Sequence, residues 1–184
     1  MFEQDVARIA HTCTIKHYIK NFSISSPEFK EIDGIAYTRN GNKLVACSAG
    51  KEHVVVPDGV KTIGKYAFAN CHIKSLILPD SVTTIGAYAF EECKDLESVV
   101  LGGNIEVIGE NAFESCKKLT SIVIPPSVYS IGDYAFLHSV LEDIRLNEGL
   151  QHIGAMAFSG TKIKSLQLPA SVVYLKTECI DDTM

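Results

Sequence analysis

The sequence predicts a solenoid of stacked repeats with short parallel strands, and three observations carry that prediction. The dipeptide Ala-Phe ends at Phe68, Phe90, Phe113, Phe136 and Phe158, in steps of 22, 23, 23 and 22 residues. An Ile-Gly pair tracks it at Gly64, Gly86, Gly109, Gly132 and Gly154. An apolar triplet precedes each pair, beginning with Val54–Val56 and Leu76–Leu78. A fixed period of roughly 20–29 residues marks units that cannot bury their apolar face alone and must stack on neighbours.

The stretch from Ser75 to Glu97, SLILPDSVTTIGAYAFEECKDLE, is the clearest unit. Its Leu-x-x-Leu-x-Leu core gives the fold class: a leucine-rich-repeat solenoid, a β-rich right-handed superhelix. Short parallel strands are expected on the concave face, turns and very short helices on the convex side, and a β-hairpin at the amino-terminal end. The order along the chain is a cap over 1–52 with a degenerate rung and the hairpin, a repeat array over 53–175, and a degenerate cap or truncation over 176–184. All three belong to one continuous domain.

Residues 1–18 open the cap. Val6, Ile9 and Ala10 fall at helical spacing and suggest a short amphipathic helix. Ile19, Phe22 and Ile24 fit the repeat frame as a degenerate first rung. Asn21-Phe22-Ser23 is a formal N-glycosylation acceptor, which in a predicted strand reads as a chance tripeptide. From Phe29 to Cys47 the repeat is interrupted by two alternating apolar runs around Asn40-Gly41. Asn-Gly accepts positive φ at both positions, as a type I′ hairpin turn requires.

The regular strands are expected at Val54–Val56, Leu76–Leu78, Val99–Leu101, Ile122–Ile124, Ile144–Leu146 and Leu166–Leu168. Side chains alternate along a strand, so the first and third residues of each triplet point inward and the middle one outward. Proline stops the ladder after four strands, at Pro57, Pro79, Pro125 and Pro169; Gly102 and Asn147 replace it in the other two. Val60, Val82, Ile105, Val128 and Leu150 then begin a second inward group. The glycine of the Ile-Gly pair supplies either positive φ or room for close backbone stacking. The Gly-x-x-Ala-Phe segment makes a turn or a helical turn or two, too brief to stand alone. In the last unit Val172, Leu175, Cys179 and Ile180 keep the frame, while Lys176 replaces the glycine.

Composition narrows the function. The chain has 184 residues, 46% of them hydrophobic, with a net charge of −5 and a pI near 5.7. Without a Lys/Arg cluster, nucleic acid and anionic membranes are not expected partners. No stretch approaches the ~20 apolar residues of a membrane span. The amino terminus, MFEQDVARIAHTC, lacks the basic start and apolar run of a signal peptide.

Cys71, Cys93 and Cys116 are 22 and 23 residues apart and so hold one structural position in three rungs, where small buried thiols are expected. Cys13, Cys47 and Cys179 stand apart from that series, and no zinc-site spacing appears. Neither a metal nor another cofactor is expected. His11, His17, His53, His72, His138 and His152 fall at unrelated repeat positions, and no nucleophile–base set is singled out, so an enzyme is not expected.

Repeats such as LESVVLGGNIEVIGENAFESCKK and TSIVIPPSVYSIGDYAF resemble the BspA-type leucine-rich repeats over about Phe29 to Ile180. The segment EIDGIAYTRNGNKLVACSAG resembles an insert that such proteins carry before their repeats. The resemblance implies adhesion or protein recognition and a surface or secreted location. The absence of a visible signal peptide leaves a cytoplasmic regulatory or antagonist protein as the alternative.

Candidate binding residues are those the strands present outward. Val55, Ile77, Val100 and Val123 form an apolar stripe of roughly 15 Å, followed by Arg145 and Gln167. Ser75, Ser98, Ser121, Asp143 and Ser165 flank it as a nearly uniform hydroxyl row. Contiguous exposed apolar surface suits a protein ligand of unspecified identity, although β-branched residues are also simply good strand formers. A second array, Tyr66, Tyr88 and Tyr134, either anchors an interface or covers the convex side of the core.

Overall fold

The computed structural model describes residues 27–48 and 50–176. The expected helix near Val6, the rung at Ile19–Ile24, the Asn21 tripeptide, and Cys13, Cys179 and Ile180 lie outside the described residues. What is described is a β-solenoid of about six turns, the predicted class. Its elements are fourteen short strands, with no helix among the described residues.

The chain enters through three antiparallel strands, β1 (Phe29–Ile32), β2 (Ile35–Thr38) and β3 (Lys43–Cys47). The tight two-residue turn joins β1 to β2 at Asp33-Gly34, both with positive φ (50° and 73°) and closed by the pair Ile32–Ile35. Asp-Gly thus does here what Asn40-Gly41 was expected to do, since positive φ at both central residues matches the strands' right-handed twist. The Asn40-Gly41 connection is instead a longer loop in which only Gly41 has positive φ. The Asn40 carboxamide oxygen caps that loop by accepting from the Thr38 hydroxyl (2.8 Å) and the Asn42 amide (3.2 Å).

Each later rung has three sides. The first is a three-residue strand: β4 (His53–Val55), β6 (Ser75–Ile77), β8 (Ser98–Val100), β10 (Ser121–Val123) and β12 (Asp143–Arg145). These begin one residue earlier than the apolar triplets suggested, because the hydrogen-bonded register extends onto the polar residue before each triplet. The second side is a two-residue strand at the expected second inward group: β5 (Thr62–Ile63), β7 (Thr84–Ile85), β9 (Val107–Ile108), β11 (Ser130–Ile131), β13 (His152–Ile153) and β14 (Tyr174–Leu175). They continue in parallel from β3, so the antiparallel insert and this ladder share one nine-stranded sheet.

The third side is the Gly-x-x-Ala-Phe turn. Residues two before and two after each phenylalanine take positive φ, from Tyr66 (60°) and Asn70 (58°) to Tyr134 (59°) and His138 (55°). Their amides leave the rung and donate to the next one, as Tyr66 N does to Ala87 O and Asn70 N to Glu91 O. A left-handed residue every fourth position prevents a helix. The cost of about 1–2 kcal/mol per residue is offset by these inter-rung hydrogen bonds.

The glycine of the Ile-Gly pair does not have positive φ; it serves close stacking. A Cβ on Gly109 would lie 2.7 Å from both the Ala87 nitrogen and the Gly86 carbonyl carbon of the preceding rung. The stacked glycines therefore let successive chains touch backbone to backbone.

The core is a continuous column. Phe68, Phe90, Phe113, Phe136 and Phe158 stack with centroids 4.9–5.6 Å apart and near-parallel planes, a separation that implies offset stacking. Cys71, Cys93 and Cys116 are buried in the core, as their period indicated, and Cys47 joins them there. The Cys93 thiol donates to Phe68 O (3.0 Å) and that of Cys116 to Phe90 O (3.3 Å). Burial pushes the Cys116 pKa far up, leaving an inert thiol.

Candidate protein-binding face

The three-residue strands present one uniform surface. In every one of them the central residue, such as Val54 or Leu76, points into the core, so its neighbours on either side point out. Val55, Ile77, Val100 and Val123 are 69, 44, 56 and 65% exposed. Arg145 is exposed beside them on β12. Between this column and the margin run Ser75, Ser98, Ser121 and Asp143, preceded by His53, whose Nδ1 lies 2.8 Å from the Ser75 hydroxyl.

The rungs do not form one ladder. The strands β4, β6 and β8 pair in one sheet and β10 and β12 in another. Val55, Ile77 and Val100 share a continuous hydrogen-bonded surface; Val123 and Arg145 share a second, and β8 and β10 adjoin without pairing. The two intervals flanking β8 are 23 residues long, against 22 for the others, and the turn after β8 carries Gly102-Gly103 where neighbours carry proline. The last expected strand, Leu166–Leu168, is not a strand. Its inward positions are not sealed, with Leu168 41% exposed, so Gln167 and Ser165 are exposed but stand off the ladder.

A charged margin borders the hydroxyl row. Lys74 bridges Glu52 at 2.8 Å, and Lys118 bridges Asp95 at 2.9 Å and Glu97 at 3.5 Å. His72 Nδ1 contacts Asp95 at 2.8 Å. The Lys74 hydrogen bond lowers the Glu52 pKa, and hydrogen bonds from His72 and then Lys118 lower that of Asp95. They fall in two series at repeat spacing, Glu52, Lys74 and Glu97, and His72, Asp95 and Lys118, and that alternation of charge was the one signal of them in the sequence. All are solvated, so they add little stability and dictate charge pattern instead.

On the turn side, Tyr66 and Tyr88 stack at 4.8 Å with the Lys65 ammonium 5.1 and 5.4 Å from their ring centres. The Tyr88 hydroxyl donates to the Glu110 carboxylate at 2.8 Å, which together with burial raises its pKa to about 12. Half-buried and strained in φ, the tyrosines cover the core at the turn. Among the described residues no group of three or more His, Cys, Asp or Glu side chains is placed to hold a metal ion, and no helix is long and apolar enough to cross a membrane. Among the described residues no carboxylate hydrogen-bonds His53; Glu52 interacts with it only through charge, so the His53–Ser75 pair does not have the hydrogen-bonded orienting member of a nucleophilic triad.

Comparison with known proteins gives the surface its context. The sequence model of the BspA type Leucine rich repeat region matches residues 61–183 in 6 copies. No curated protein matches the chain. Among solved structures, a leucine rich cell surface protein from Faecalibacterium prausnitzii A2-165 has a TM-score of 0.69 at 29% identity, covering 81% of this chain and 39% of its own. A leucine-rich repeat protein from Bacteroides ovatus ATCC 8483 has a TM-score of 0.66 at 26% identity, covering 86% and 45%. The leucine rich repeat protein of T. pallidum has a TM-score of 0.63 at 25% identity, covering 84% and 81%. The chain thus spans less than half the length of the first two.

Proposed function

Because this chain belongs to the BspA-type leucine-rich repeat family, we propose that it is a non-enzymatic scaffold that binds a protein partner through the strand face, in an adhesin-like role. The observation that carries this reading is the column Val55, Ile77, Val100 and Val123, whose β-branched side chains stay 44–69% exposed although the core beneath is sealed. Val55, Ile77 and Val100, on paired strands about 4.8 Å apart, form contiguous surface of the kind that interfaces bury, and Val123 continues it on the adjoining β10. The serine row beside them offers hydroxyls that donate and accept, and the charged margin supplies a rim. The cell-surface description of the Faecalibacterium protein supports an exported, adhesin-like setting.

The test is capture of protein from extracellular-matrix and host-cell-surface extracts by the intact chain and by Ile77→Lys/Val100→Lys. Both substituted residues are exposed, so the variant keeps its circular dichroism and melting temperature. A partner retained by the parent and lost by the folded variant supports the reading. Equal retention removes the strand face from consideration.

A further inference from the structure

The strand side of the solenoid is interrupted at a junction where the other two sides are not. Wherever neighbouring strands pair on this face, backbone hydrogen bonds flank them at both ends. Glu52 O accepts from Lys74 N and Ser75 N (2.6 and 3.1 Å), Lys74 O from Glu97 N and Ser98 N (2.8 and 3.2 Å), and Thr120 O from Glu142 N and Asp143 N (2.8 and 3.3 Å). At the far ends Val56 N donates to Ile77 O, Leu78 N to Val100 O and Ile124 N to Arg145 O. Between β8 and β10 the corresponding bonds, from Ser121 N to Glu97 O and from Leu101 N to Val123 O, are absent among the described residues, and the two strands belong to separate sheets. Burial marks the same seam. Val99, the inward residue of β8, is only half-buried, whereas Leu76 and Ile122 on either side are sealed.

The same two rungs are joined on both other sides. β9 pairs with β11 in register, Val107 with Ser130 and Ile108 with Ile131. On the turn side Asn111 N, Phe113 N and Ser115 N donate to Asp133 O, Ala135 O and Leu137 O at 2.9, 2.7 and 2.8 Å. What crosses the seam on the strand side is a side chain. Lys118, on the approach to β10, reaches back to Asp95 (2.9 Å) and Glu97 (3.5 Å) on the approach to β8. Asp95 is tied in turn to His72 of the rung before, at 2.8 Å, so Lys118 fastens the β10 rung to the paired half of the face. All of these groups are solvated, and ion pairs of that kind hold weakly and are screened by salt.

We propose that the β8–β10 seam is a hinge: the strand face opens there about the continuous β9–β11 ladder, and the Lys118 ion pairs are the latch that holds it shut. Such a rotation changes the curvature of the face between Val100 and Val123 and leaves the pairing within each half intact, as hinge motions concentrate change in a few residues. The hinge follows from the hydrogen-bonded ladder and is independent of what the face binds.

Pulsed electron paramagnetic resonance on the full chain tests it, with nitroxides carried on p-acetylphenylalanine so that the native cysteines stay unlabelled. One label pair, at the exposed positions Val55 and Arg145, runs from the β4 rung to the β12 rung across the seam. The control pair, at the exposed positions Lys61 and Gln151, joins the same two rungs along the unbroken ladder. Raising NaCl from ~0.1 M to ~1 M shortens the Debye length from about 10 Å to about 3 Å. It is expected to broaden the Val55–Arg145 distribution and lengthen its mean by roughly 2 Å, near half a rung spacing, with the Lys61–Gln151 distance unmoved. Lys118→Met is expected to show the wide distribution already at ~0.1 M and to lose the salt response. A Val55–Arg145 distribution as narrow as the control, and indifferent to salt and to Lys118→Met, overturns the hinge. Equal widening of both pairs overturns it as well, since the whole solenoid then loosens. Widening by salt that Lys118→Met does not reproduce overturns the latch.

Discussion

The Lys176 ammonium lies 2.7 Å from a carboxylate oxygen of Asp133, two rungs and 43 residues back along the chain. Lysine here occupies the position that is glycine in five preceding rungs, and its backbone still pairs with Ile153 O at 3.2 Å. The same Asp133 carboxylate accepts from Ala155 N at 2.9 Å, so one side chain ties three successive rungs.

That tie has a defined pH dependence. The Lys176 hydrogen bond lowers the Asp133 pKa, so its stabilisation is present above the ordinary carboxylate value of about 3.9 and is lost as pH falls through the depressed folded value. The Lys176 pKa is raised, chiefly by Asp133, so its share is present below about 10.4 and is lost as pH rises through the raised value. Asp133→Asn keeps an acceptor for Ala155 and removes the charge. It is expected to lower the melting temperature by a few degrees near neutral pH and to match the parent in acid. An offset unchanged from pH 7 to pH 2 would contradict the ion-pair account.

Ser139 is a defect in the thiol column. It stands three residues after Phe136, as Cys71, Cys93 and Cys116 stand after their phenylalanines, and is 1% exposed with an unpaired hydroxyl. The longer C–S bond lets Cys93 and Cys116 reach a carbonyl of the preceding rung, which the serine hydroxyl does not do. An unsatisfied buried hydroxyl costs about 1–3 kcal/mol. Ser139→Cys is expected to stabilise by about 1 kcal/mol in urea unfolding, and a lower midpoint would refute the column argument.

The glycine stack predicts a sharp contrast between two alanines. Gly109→Ala drives a Cβ to 2.7 Å from backbone of the preceding rung and is expected to cost about 1–3 kcal/mol or more. Gly103→Ala meets only the Asp80 carboxylate, at 3.4 Å, and is expected within about 0.5 kcal/mol of the parent. Equal midpoints for the two variants in chemical denaturation would dismiss close stacking as the reason for the series.

Tyr88 reports on its bond to Glu110. With a pKa of about 12 it is expected to remain protonated beyond the range of an ordinary tyrosine, about 10. In a difference titration of Glu110→Gln against the parent, one phenolate is expected to appear at lower pH in the variant. Superimposable absorbance curves would show that the carboxylate does not hold that proton.

The limits of sequence reading show at particular residues. Asp33-Gly34 is as good a type I′ dipeptide as Asn40-Gly41, and only the pairing of β1 with β2 through Ile32 and Ile35 shows which of them makes the two-residue turn. The outward positions Val55, Ile77, Val100 and Val123 were readable because strand alternation is local. A cleft between Tyr37 of β2 and the turn at Pro57 was not, since its two walls come from separate elements that only folding brings together.

By itself the sequence determined the period, the inward columns of phenylalanine and cysteine, and the side from which the β-branched residues emerge. These follow from alternation and repetition, which act within a few residues. Tertiary structure decided what depends on one rung meeting the next. It gave positive φ to Tyr66 and Tyr88 rather than to Gly64 and Gly86, because amide bonds to the following rung offset a local strain that the tyrosines alone would avoid. It also divided the strand face between Val100 and Val123, since the pairing of two strands depends on how a whole 23-residue turn seats on its neighbour.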